Sequence, residues 1–165
     1  MAIRIKMVTK TNNKLGKAIQ NLKSGYVKIG WFEGQKEPNG LLVSENAYMQ
    51  NNGFTIKHKN GKQTYVPPRP FMNITLEENG IRWHNFWKNV YKKVVEGKEK
   101  LKKALNELGI VVKKDIQRTL RSNIKPELKE STIKARQRKG NYRTTTLIDS
   151  ETMYKTINYE SEVHK

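Results

Sequence analysis

Apolar residues change their spacing once along this chain. From Tyr26 to Val66 they mostly alternate with polar residues, in short runs punctuated by glycine; from Phe71 to Ile116 they return every three or four residues. Alternation is the signature of a half-buried strand, and the longer period that of an amphipathic helix. The change falls at Tyr65-Val66-Pro67-Pro68-Arg69-Pro70-Phe71-Met72. Pro67 and Pro68 have no N–H to give a ladder, so a strand reaching Val66 stops there. Arg69 precedes a proline and is biased towards extended backbone, while Pro70 suits a first helical turn. The stretch predicts a rigid strand-to-helix corner with Phe71 anchored in the core. Pro67-Pro68-Arg69-Pro70 also fits the P-x-x-P pattern of SH3 ligands, a short pattern that does not outweigh the turn.

The elements on either side follow from the same periods. Ile3, Ile5 and Met7 alternate with Arg4 and Lys6 as a short strand, and Leu15, Ala18, Ile19 and Leu22 predict a helix over 11–24 that Thr11, Asn12 or Asn13 can cap and Gly25 can end. A strand over 26–33 puts Val27, Ile29 and Trp31 on one face. After a loop at 34–40, a short helix over 41–51 turns Leu42, Ala47 and Met49 inward and ends at Asn52-Gly53. Asn60-Gly61 predicts a hairpin over 54–66 with a two-residue type I′ turn, Ile56 opposite Tyr65 and His58 opposite Gln63, and a basic tip that protrudes.

Beyond the corner, Asn79-Gly80 interrupts the helical pattern. Two core-facing helices are predicted, at 80–96 (Trp83, Trp87, Val90, Val94) and 98–122 (Leu101, Leu105, Leu108, Val112, Ile116), with Gly109 a weak point in the second. Trp83, Phe86 and Trp87 are read as core or subunit interface rather than a ligand cage. Residues 127–139 are partly helical, 140–146 lack periodicity and read as mobile, and Asp149 or Ser150 can cap a short helix to Lys155 before a last strand near 156–162. The expectation is a single α+β domain. Residues 1–25 give a strand and helix, 26–66 a sheet with a short helix, 67–122 the proline corner and helices, 123–146 a basic mobile segment, and 147–165 a short helix and strand. A small antiparallel sheet carrying the Asn-Gly hairpin packs against two long helices, burying Trp31, Phe71, Trp87, Leu105, Leu108 and Ile148.

Charge alters this picture more than composition does. Lys and Arg number 33 against 15 Asp and Glu in 165 residues, a formal net charge of +18. Between Lys113 and Arg143 stand eleven basic and three acidic residues. Such a field attracts polyanions and repels copies of itself. Lys113, Lys114, Arg118, Arg121, Lys134, Arg136, Arg138 and Lys139 are therefore the candidate polyanion contacts, through phosphates rather than bases. Cysteine is absent, which excludes disulfides and thiolate metal sites. No apolar run reaches the length of a membrane span, and the first residues lack the apolar core of a signal peptide, so no membrane association is expected.

Nothing in the sequence assembles a catalytic, metal or cofactor site. His58, His84 and His164 are scattered, without helical metal spacing. Gly61-Lys62 lacks the earlier glycine of a phosphate loop. Ser122-Asn123-Ile124-Lys125 and Ser131-Thr132-Ile133-Lys134 match S-x-x-K with no companion K-T-G. Asp115 and Asp149 are the chain's two aspartates, and no acidic cluster joins them. A chain without catalytic function and without cofactor is expected.

The order of the motifs points further. Val27-Lys28-Ile29-Gly30-Trp31-Phe32-Glu33 precedes Ser44-Glu45-Asn46-Ala47-Tyr48-Met49-Gln50-Asn51-Asn52-Gly53. The proline corner, Leu105-Asn106-Glu107-Leu108-Gly109, Leu128 and Ser131-Thr132-Ile133 follow, and then Leu147-Ile148-Asp149-Ser150-Glu151-Thr152-Met153-Tyr154-Lys155-Thr156-Ile157. Over residues 26–160 this resembles the tail-completion (neck, or head-to-tail joining) proteins of long-tailed bacteriophages. The structural motif that carries the resemblance is Pro67, Pro68, Arg69, Pro70 and Phe71 with Leu147, Ile148 and Asp149. Here Gln50-Asn51-Asn52-Gly53 stands for the family's N-E-F-G, Thr146 for its Pro, Ser150 for its Thr and Glu151 for its Gly. The resemblance implies an α+β protein of the virion, made in the host cytoplasm. It would assemble with itself as a ring, and with other neck, connector or tail-tube proteins, around the path of the genomic DNA, with possible non-specific DNA contact. The competing expectation is a small basic protein that binds nucleic acid without sequence preference on its own; neither a helix-turn-helix nor an aromatic RNP pattern is present.

Overall fold

The central element is a helix that packs on both of its sides. The structure, a computed structural model, describes residues 2–6 and 24–164. In chain order its elements are β1 (Ala2–Lys6), β2 (Gly25–Gly30), α1 (Val43–Asn52), β3 (Phe54–Lys57), β4 (Gln63–Val66), α2 (Phe71–Val95), α3 (Leu101–Arg121), α4 (Glu130–Gln137), α5 (Thr152–Thr156) and β5 (Asn158–Val163). α3 packs against α2 on one side and against β2 and β5 on the other. The described residues form one α+β domain, as the change of period predicts. Met7 and the helix expected over 11–24 lie outside the described residues, except for Ser24 at its end.

The sheet differs from expectation in its membership. β1, β2 and β5 form a three-stranded antiparallel sheet in that order, while β3 and β4 pair only with each other. β2 lies centrally, which suits its buried Val27 and Ile29. Gly25 opens this strand.

The hairpin is also one residue out of the expected register. Phe54 pairs with Val66, Thr55 with Tyr65, Ile56 with Thr64 and Lys57 with Gln63. The loop is longer than the two residues a type I′ turn needs. The His58 carbonyl accepts from Gly61 N–H at 3.0 Å, His58 N–H donates to Lys62 O at 2.8 Å, and Gly61 alone in the turn has positive φ, at 77°. This is a type I turn closed by a left-handed glycine. The Asn60 side chain accepts from Lys62 N–H at 3.1 Å instead of adopting positive φ itself.

α2 runs through Asn79-Gly80 without a break. The Asn79 side chain caps nothing; it donates to the Thr75 carbonyl one turn back, at 3.0 Å. α3 likewise passes through Gly109, for a packing reason. A Cβ built there would lie 2.5 Å from Cδ2 of Tyr159, so the glycine lets β5 lie close against the helix.

The core gathers Trp31, Phe71, Trp87, Leu105, Leu108 and Ile148, as expected, together with Trp83, while Phe86 is half-buried against it. α1 presents Ala47 inward as expected, but with Val43 and Asn51, one turn away on either side, in place of Leu42 and Met49. The stretch 140–146 has no regular secondary structure, but it is not loose. The Arg136 guanidinium donates to the carbonyls of Arg143, Thr145 and Ile148, at 3.0 to 3.1 Å. Thr146 is buried, and its hydroxyl meets Asn123 Oδ1 at 2.5 Å. Among the described residues, no helix is long and apolar enough to cross a membrane.

Candidate functional site

Segments distant in sequence meet around Phe71. Its ring is fully buried and lies edge-on to Trp31, with centroids 5.8 Å apart. Trp31 in turn donates its indole N–H to the Met153 carbonyl at 2.7 Å. Met72 N–H, an orphan donor of the first turn of α2, is taken by the side chain of Asn51 at 3.1 Å. Arg69 N–H donates to the Gln50 carbonyl at 2.9 Å. The end of α1 therefore clasps the proline corner, and the corner carries the closing segment through Trp31. Asn51 is a polar residue at an apolar position of its helix, and that phase was the signal available in the sequence.

Arg69 is buried, and its Nε donates to the Pro126 carbonyl at 3.1 Å. Burial, and then the nearby charge of Arg136, push its guanidinium below the ordinary arginine value. Leu147 and Ile148 are buried beside this cluster, whereas Asp149 is exposed. Asp149 pairs with Arg136 Nε at 3.2 Å and accepts from Asn141 at 2.7 Å.

Glu37, which the sequence did not single out, ties the loop before α1 to the closing segment. Its buried carboxylate accepts from Asn46 at 2.8 Å and from the Ser150 hydroxyl at 2.6 Å. The Ser150 oxygen also accepts from Thr152 N–H at 3.1 Å, the capping role expected at Asp149 or Ser150. The residue at the N-cap position itself is Glu151. It has φ 63°, and it is the only non-glycine residue with positive φ among those described.

A cleft of about 400 Å³ opens beside this knot, bordered by Glu37, Asn46, Arg136, Lys139, Asp149 and Ser150. Five of these six are engaged with one another or with backbone. Both Glu37 oxygens are committed, so the cleft offers hydrogen-bonded scaffolding rather than a free acid–base pair. Among the described residues, no three of His, Asp and Glu come together as a metal site.

The basic candidates divide into three groups. Lys114, Arg118 and Arg121 lie on the outer side of α3, where Arg118 pairs with Asp115 at 3.0 Å and Arg121 stacks over Tyr154, 4.1 Å from the ring centroid. Lys113 reaches Asn158 at 3.4 Å, and Lys134 pairs with Glu130 at 2.6 Å. Arg138 and Lys139 are exposed. Arg136 does not belong with them. Its side chain is 11% exposed and its donors are spent on the backbone of 143–148, so it is a brace and not a phosphate contact.

Asp115 is equally structural. At 2% exposed, it accepts from the Trp83 indole at 2.8 Å, from Arg118 and from Arg82, and so locks α3 to α2. Comparison with family models, with curated proteins and with solved structures finds no match to this chain.

Proposed function

We propose that this protein is a tail-completion component of a long-tailed bacteriophage, a structural protein that joins the tail to the DNA-filled head as an oligomeric ring. One observation carries this proposal. Four of the segments in which the chain resembles the neck family, those at 27–33, 44–53, 66–72 and 147–157, are tied together by the fold around Phe71, Trp31 and Met153. The backbone at residue 151 agrees with it. The family's closing motif has glycine there, and here Glu151 takes the left-handed backbone that glycine adopts freely.

On this view the shared motifs build a scaffold, and the activity is assembly. Partners are further copies of the chain, the neighbouring neck, connector or tail-tube proteins, and the genome that threads the ring. The net charge of +18 suits a protein placed along that path.

The test is genetic and visual. In a phage whose genome carries this gene, deletion should leave filled heads and tails of normal length that fail to join, or that join without infectivity, as seen by electron microscopy and plaque assay. Joined, infectious particles would overturn the proposal and favour a lone basic nucleic-acid binder.

A further inference from the structure

The hairpin β3–β4 stands almost alone. It makes no more than fringe contact with any other described element, although a two-stranded hairpin is marginal without support. Its observed register sorts its side chains. Phe54, Ile56, Thr64 and Val66 share one face, which is mostly half-buried. Thr55, Lys57, Gln63 and Tyr65 share the other, and all four are exposed, Tyr65 at 60%. The register expected from a two-residue turn would instead have put Ile56 beside Tyr65. The outer face continues into a tip where Lys59 and Lys62 are exposed. No acidic residue occurs from Asn46 to Leu76, and among the described residues no carboxylate pairs with Lys57, Lys59 or Lys62.

We infer that this outer face and tip bind the phosphate backbone of double-stranded nucleic acid without reading its sequence. Lys57, Lys59 and Lys62 neutralise phosphates. Tyr65, Gln63 and Thr55 add hydroxyl and amide donors of the kind that position a protein on the backbone. A two-stranded ribbon is narrow enough to enter the major groove. Three unpaired ammonium groups within six residues match a duplex, with its dense and unbroken charge, better than an acidic protein surface where carboxylates alternate with cations. The hairpin adds to the candidate contacts of the stretch 113–143, where Lys113, Arg118, Arg121, Lys134 and Arg136 are engaged within the fold while Arg138 and Lys139 are exposed. Identity of the duplex as the phage genome rests on the neck proposal; the binding does not.

The experiment measures binding of the full chain to a fluorescent 30-base-pair duplex, in two unrelated sequences, across a salt series. Lys57→Gln, Lys59→Gln and Lys62→Gln are combined in one variant. Lys88→Gln, Lys93→Gln and Lys100→Gln, all at exposed positions, give a control with the same net charge. The hairpin variant should lose on the order of tenfold in affinity at 0.1 M salt, and its log–log salt slope should flatten by roughly 2 to 3, since each phosphate contact contributes about 0.9. The control should change by less than about twofold. Tyr65→Ala should weaken binding without changing the slope. Circular dichroism confirms folding, and the single lysine variants give the same slope test in smaller steps. Equal losses in both triple variants, no binding of the duplex by the wild type at 50 mM salt, or preference of the hairpin for polyglutamate over duplex would each overturn the inference. Head–tail joining is scored separately, so the two proposals fail independently.

Discussion

Glu151 brings backbone strain and side-chain compensation together in one residue. A left-handed φ costs a residue with a Cβ what it does not cost glycine. The side chain offsets part of that by pairing with Lys155 at 2.7 Å and Arg143 at 3.1 Å. The hydrogen bond from Lys155, with Arg143 adding to it, holds the carboxyl below its ordinary value. A lowered carboxyl pKa contributes stability above the unfolded value, near 4.3, which is lost as pH falls through the folded one. Glu151→Ala and Glu151→Gly should therefore both flatten the acid limb of the stability profile. They should differ in Tm, with the glycine variant higher by roughly 2–4 °C because it alone relieves the backbone. Equal Tm values in thermal unfolding would mean that residue 151 does not hold this conformation. The residue could be singled out in the sequence because it replaces a motif glycine. Glu37 could not, and Arg136 was picked out only for its charge and not for its role as a brace, since a single Glu or Arg in a charged chain carries no sign of what it will touch.

At the scale of elements, the periodic segments were legible and their junctions were not. Trp83, Trp87, Val90 and Val94 marked α2 and its inner face, but Asn79-Gly80 suggested a break that the helix does not make. Tertiary packing on α3 outweighs one weak helix former. Asn60-Gly61 located the hairpin, yet a loop one residue longer shifted every pair, because turn length and not turn composition sets register. That the hairpin leaves the main sheet was not legible, since pairing of β2 with β5 joins residues far apart in the chain. Gly109 read as a weakness and is a contact. Gly109→Ala should destabilise the protein by about 1–3 kcal/mol, as overpacking does, despite alanine's better helix propensity. In a Tyr159→Ala background, where the ring is gone, that penalty should shrink sharply in a double-mutant cycle read by urea unfolding. Additive effects would show that the helix does not meet β5 at this point.

For the whole molecule, charge and symmetry set opposing demands. A ring needs head-to-tail contacts that close under rotation, whereas a self-complementary pair stops at a dimer. Each added copy of a chain with net charge +18 raises the repulsion within such a ring. Salt at 0.1 M screens exposed charges from one another only beyond about 10 Å, so close neighbours in a ring still repel. Assembly therefore needs a counter-charge or a template, and both are present at the proposed location: a tail tube or connector to seat the subunits, and a duplex whose phosphates face the hairpins. The free protein should then be a monomer in dilute, low-salt solution by analytical ultracentrifugation. Rings should appear by electron microscopy only after tail tubes or connectors are added. A stable dimer would contradict the ring, and a ring formed alone at low salt would contradict the charge argument while leaving the neck proposal in place. Many weak hairpin contacts around one duplex would act as a single strong one, so a ring should grip DNA at salt concentrations that release the monomer.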